Sequence, residues 1–94
     1  MKAESLLDER YVLGEDAFVE LVIWRLPQAS RGSRHQFKYR LALVVRGECV
    51  LRYDNEAGKG DHRHFRGKEE TYIFVTPERL LRDFWADVER WRNR

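Results

Sequence analysis

Two alternating runs on either side of Arg46-Gly47 constrain this chain more than any other feature. In FKYRLALVV, residues 37–45, Tyr39, Leu41, Leu43 and Val45 fall on one side, and Lys38 and Arg40 on the other. Successive side chains of a strand point to opposite faces, so this period of two is a strand with one apolar face. ECVLRYD, residues 48–54, alternates again, with Cys49, Leu51 and Tyr53 opposite Val50, Arg52 and Asp54. Two such runs joined by a tight glycine-containing turn make an antiparallel hairpin. Its apolar face must be covered by another element.

The rest of the chain supplies that cover. AFVELVIWRL, residues 17–26, is rich in β-branched and aromatic residues and stops at Pro27, which reads as a strand. The polar QASRGSRH after Pro27 reads as a loop in which His35 has no assigned role, residues 3–9 as a short helical turn, and EETYIFV, residues 69–75, as a further strand. Thr76-Pro77-Glu78 has the composition of a helix start: a hydroxyl N-cap, proline at the first helical position and an acid in the first turn. In PERLLRDFWADVERWRNR, Leu80, Leu81, Phe84, Trp85, Val88 and Trp91 recur at three-to-four spacing, with Arg82, Asp83, Asp87, Glu89 and Arg90 on the other side. Trp24, Trp85 and Trp91 lie on apolar stripes and read as packing residues, with Trp91 also placed to serve a partner interface. The expected fold is α+β, one domain over residues 1–94: an antiparallel sheet of about four strands with a C-terminal helix packed on one face. The uncovered face then carries Lys38, Arg40, Arg52 and Asp54.

Charge excludes a basic tail. The charged share is 36%, yet the net charge is only +2, so any nucleic-acid surface comes from local segregation of charge. Arginine outnumbers lysine, and arginine forks onto phosphate where lysine acts as a point charge. A single cysteine, Cys49, leaves no internal disulfide and no multi-thiolate zinc site, and its place in an apolar strand reads as a buried thiol. MKAESLLDERY lacks the apolar stretch of a secretory signal, and no later segment approaches the roughly 20 apolar residues of a membrane helix, so the cytoplasm is the expected compartment.

The chemistry concentrates in YDNEAGKGDHRHFRG, residues 53–67, read as a loop between strands. His62 and His64 are two apart, so in extended backbone both imidazoles point to one side. Histidine titrates near neutrality, so one ring can take a proton while the other gives one. RNA cleavage by transesterification needs such a pair, one group for the 2′-hydroxyl and one for the leaving 5′-oxygen. The RNA hydroxyl is itself the nucleophile, so neither metal nor cofactor is called for. The expected catalytic residues are His62, His64, Arg63 and Asp54, and the expected RNA-binding residues are Arg52, Lys59, Arg66 and Arg40. Asp61 reads as an orienter of His62 or His64 through a ring N–H. Three other readings compete. The stretch can be a solvated connection, with Asp54-Asn55 supplying turn chemistry. His62 and His64 with Asp54, Asp61 or Glu69 can hold zinc or manganese in a metal-dependent nuclease. The sheet and the arginine-rich helix can instead form a non-catalytic protein-interaction module.

RYDNEAGKGDHRHFRGKEETYIF, residues 52–74, resembles the signature of the TumE-like family of toxins from toxin–antitoxin pairs. The resemblance rests on Arg52-Tyr53-Asp54-Asn55, a variable loop, the cluster at His62 and His64, and a glutamate soon after. The leading strands and the closing TPERLLRDFWADVE are similar in style. It implies a toxin that works beside a cognate DNA-binding antitoxin. The RNA-directed mechanism rests on the residues, with the family as supporting analogy.

Overall fold

A computed structural model describes residues 2–55 and 58–93. Among the described residues six strands form one antiparallel sheet in sequence order: β1 (Glu4–Val12), β2 (Ala17–Arg25), β3 (Phe37–Val45), β4 (Glu48–Asp54), β5 (His62–Phe65) and β6 (Lys68–Thr71). The helix α1 (Pro77–Arg92) closes the chain. The central hairpin pairs in the expected sense, with Leu41 opposite Tyr53 and Leu43 opposite Leu51. At its turn Arg46 and Gly47 both have positive φ, 51° and 77°, as the twist-matched hairpin turns require.

The sheet is wider than the four strands expected. Residues 4–12 form strand β1 rather than a helical turn. Its residues are mostly exposed, so the apolar periodicity that marks a buried strand is missing there. The presumed loop contains β5, whose HRHF is too polar and too short to read as a strand alone. It is joined to β6 through Arg66-Gly67, again both at positive φ. β6 itself stops at Thr71; Tyr72 continues as extended chain, its N–H bonded to the Asp61 carbonyl at 3.0 Å.

One face of the sheet is core. Val19, Leu21, Ile23, Tyr39, Leu41, Leu43, Leu51 and Tyr53 pack there against Leu80, Phe84 and Val88 of α1. The helix starts as its sequence dictates: Thr76 Oγ1 accepts from the Arg79 N–H at 3.0 Å and Pro77 takes the first helical position. Alternation breaks at one point in β4. Val44 pairs with Cys49 but Leu43 with Leu51, so Val50 is an extra residue and Cys49 turns to the other face, exposed rather than buried.

The helix is tied down by a carboxylate that periodicity assigns to solvent. Asp87 is only 1% exposed. Its Oδ2 accepts from the Tyr53 hydroxyl at 2.5 Å and from Arg63 Nε at 2.6 Å, and its Oδ1 accepts from Arg90. Burial alone would raise the Asp87 carboxyl, but the bonds from Arg63 and Tyr53 outweigh it and hold the group below the usual aspartate range. Burial and the bond to Asp87 push the Tyr53 phenol well up.

Asp87→Ala is expected to lower the unfolding free energy by about 1–3 kcal/mol, because it takes the short acceptor from the buried Tyr53 phenol and leaves the part-buried Arg63 guanidinium with Glu70 alone. Replacing the pair together, as in Arg63→Met with Asp87→Leu, is expected to recover much of that loss. A carboxyl held low contributes fully above the ordinary aspartate pKa and loses its contribution as pH falls through the lowered value. Urea denaturation of the wild-type protein from neutral to acid pH should therefore show a loss that Asp87→Asn lacks; parallel pH curves would contradict the latch.

Candidate functional site

The face opposite α1 is built by the even-numbered positions of β2, β3 and β4 together with those of β5. Two cross-strand rows define it. Val22, Arg40, Asp54, His62 and Thr71 stand side by side in one, and Glu20, Ala42, Arg52, His64 and Glu69 in the next. His62 and His64 therefore share a face, about 7 Å apart along β5 by strand rise. Asp54 is directly opposite His62, and Arg52 directly opposite His64.

The two rings are bridged by one carboxylate. Glu69 Oε1 lies 3.8 Å from His62 Nε2 and 3.5 Å from His64 Nε2. His62 Nδ1 lies 3.0 Å from the Gly60 carbonyl, which can only accept, so Nδ1 carries hydrogen and Nε2 is the basic nitrogen of the neutral ring. Arg52 Nε sits 3.0 Å from Asp54 Oδ2 but out of line for a hydrogen bond, so the guanidinium is held by Asp54 as an ion pair. Arg40 is half-exposed and only loosely engaged by Glu20 at 3.9 Å. Arg66 joins Arg52, His64 and Cys49 around a cleft of about 300 Å³ at the β5–β6 turn. Lys59 is exposed in the loop that leads into β5. Glu56 and Ala57 of the same loop lie outside the described residues. Among the described residues no group of three His, Cys, Asp or Glu side chains is arranged to hold a metal ion.

Two expected roles change. Arg63, between the histidines in sequence, points to the other face of the sheet for that same reason: alternation carries it to the helix side, where it pairs with Asp87 and Glu70. It is remote from the face of His62 and His64 and its part is to hold α1. Asp61 does not orient His62 or His64. It accepts from His35 Nε2 at 2.9 Å and from the Tyr39 hydroxyl at 2.6 Å. His35 Nδ1 accepts from the Phe37 N–H at 3.1 Å, which fixes the tautomer and occupies both ring nitrogens. Phe74 stacks on the His35 ring at 3.9 Å between centroids. Burial first, then the bond to Asp61, pushes the Tyr39 phenol far above its ordinary range.

This cluster pins the β2–β3 loop to the loop before β5. Gly58 N–H donates to the Arg31 carbonyl at 2.6 Å, and a Cβ on Gly32, whose φ is +82°, would meet Gly58 backbone at 3.0 Å. Asn55 completes the seam: its Oδ1 accepts from the Tyr39 N–H at 2.9 Å and its Nδ2 donates to the Phe37 carbonyl at 2.6 Å. The amide thus extends the β3 ladder one step past the end of β4, which makes Asp54-Asn55 a structural stop as well as the approach to the site.

The fold and this face define a small antiparallel-sheet protein with one helix and a polar, histidine-bearing open face. The family model for Toxin TumE matches residues 2–92, and the chain belongs to that toxin family. No curated protein and no solved structure matches the chain. No helix among the described residues is long and apolar enough to cross a membrane.

The division of histidines is checkable by NMR. Asp61→Ala is expected to perturb the His35 ring resonances and leave those of His62 and His64 in place. Equal displacement of all three would put Asp61 back among the residues that orient the pair.

Proposed function

We propose that this toxin acts on RNA by metal-independent acid–base cleavage at the open face. The observation that carries the reading is the convergence of His62 and His64 on one face, bridged by Glu69 and flanked by Arg52 and Arg40. His62 takes the proton of the 2′-hydroxyl at Nε2, since its Nδ1 is committed to the Gly60 carbonyl. The 2′-oxygen attacks the adjacent phosphorus and the bond to the 5′-oxygen breaks. His64, in its imidazolium form, delivers a proton to that leaving oxygen, with Glu69 Oε1 3.5 Å from its Nε2. The products are a 2′,3′-cyclic phosphate and a 5′-hydroxyl. Arg52, with Arg40 and Arg66, supplies preorganised positive charge for the phosphate. Asp54 holds Arg52 in place from the same strand and faces His62 across the ladder. Lys59 adds charge at the entrance.

A toxin of this family implies a cognate antitoxin, and we take that partner to be a DNA-binding protein. The reaction as written needs no cofactor.

The test is cleavage of single-stranded RNA by purified protein with EDTA present. His62→Ala and His64→Ala are each expected to lower kcat/KM by about 10²–10⁴-fold with melting temperature unchanged, as loss of a general acid or base does. Full activity in the double variant would remove the histidines from the chemistry. Activity lost in EDTA and restored by manganese or zinc would select a metal-dependent nuclease. Absence of cleavage under every condition, with tight binding to the neighbouring gene product, would select an interaction protein.

A further inference from the structure

Core packing does not account for the ring of Trp24. The residue stands at the end of β2 and is 38% exposed, while Ile23 and Leu21 before it fill the core. Alternation places the indole on the open face, between Ser5 of β1 and Lys38 of β3. That is the same face as Arg40, Arg52, His62 and His64, and the same end of the sheet as the start of β5. The Trp24–Lys38 pair is two residues along from the row of Val22, Arg40, Asp54 and His62.

We propose that Trp24 is a base-stacking platform for single-stranded RNA, with Lys38 and Arg40 holding the backbone between it and the histidines. The inference rests on the RNA-directed reading of this face and names the form of its substrate. An exposed indole offers a flat apolar surface to any unpaired base, because every base has a π-face. The same ring cannot reach a base inside a duplex, so the platform selects unpaired RNA. Strand spacing and rise put Trp24 about 15 Å from His62. A base on the indole therefore lies a few nucleotides from the phosphate at His62 and His64. Lys38 and Arg40 lie along that path: Lys38 faces Trp24 directly, and Arg40 is two residues further along β3, opposite Asp54. Single-stranded nucleic acid is commonly held in this way, by cations that track the backbone and rings that stack its bases.

The test uses short RNA carrying 2′-O-methyl riboses, which cannot attack their own phosphate, and reads binding by fluorescence anisotropy. Trp24→Leu keeps apolar bulk at the position and removes the π-face; it is expected to weaken binding about tenfold or more. Trp24→Phe is expected to retain most of the affinity, and both variants to melt with the wild-type protein. An abasic residue at one position of the oligonucleotide should abolish the difference between wild type and Trp24→Leu. Wild-type affinity in Trp24→Leu, with binding still weakened by Arg40→Ala and Arg52→Ala, would overturn the platform and leave the RNA reading standing. No binding by the wild-type protein would overturn both.

Discussion

The structure depends on one buried carboxylate. Asp87 gathers a phenol from β4, a guanidinium from β5 and a second guanidinium from its own helix. The charge is buried, so it is tolerated only with its partners in place. Asp87 thereby fixes the seating of α1 and consumes Arg63, the cation nearest the histidines in sequence. Tyr72 repeats the device one turn earlier, its hydroxyl donating to Asp83 Oδ2 at 2.5 Å. The helix is bonded to β4, to β5 and to the chain after β6, so it is committed to one side of the sheet.

That commitment leaves the other face of the sheet uncovered by the helix. A sheet with a single helix has one face dry and one face wet, and alternation sorts each strand's residues between them. The dry face takes Leu41, Leu43, Leu51 and Tyr53; the wet face takes Arg40, Arg52 and Asp54 from the same two strands and His62 and His64 from β5. The candidate site is therefore carried on strands held by ladder hydrogen bonds rather than on a free loop. The seam of His35, Asp61, Tyr39 and Asn55 keeps the adjoining loops closed around its end. Rigid placement of this kind is what acid–base chemistry asks of its groups.

Much of this was legible in the residues. The central hairpin, the cap at Thr76, the core stripe of α1 and the polar composition of the open face all follow from periodicity and end chemistry. The pairing of His62 with His64 on one face follows from their spacing once the backbone is extended. Other features carried weaker signals. Arg66-Gly67 repeats the Arg46-Gly47 turn and was the available clue that HRHF and KEET are paired strands. Edge strand β1 has little to bury, so its alternation is blurred. Asp87 lies beside Val88 and one turn from Phe84, which placed it on the margin of the apolar stripe; only the tertiary partners Tyr53 and Arg63 decide that it is inside. The Val50 bulge reverses Cys49 without any mark in composition. The His35–Asp61 contact joins residues 26 apart, beyond the reach of local pattern.

The central claim is that two imidazoles on the open face pass protons during attack by the RNA's own hydroxyl. Its most direct measurement is the chemistry of the ends left when purified protein cuts single-stranded RNA in EDTA. The account requires a 2′,3′-cyclic phosphate on one fragment and a 5′-hydroxyl on the other. A 5′-phosphate with a free 3′-hydroxyl would mean that water, not the ribose, attacked, and would contradict it.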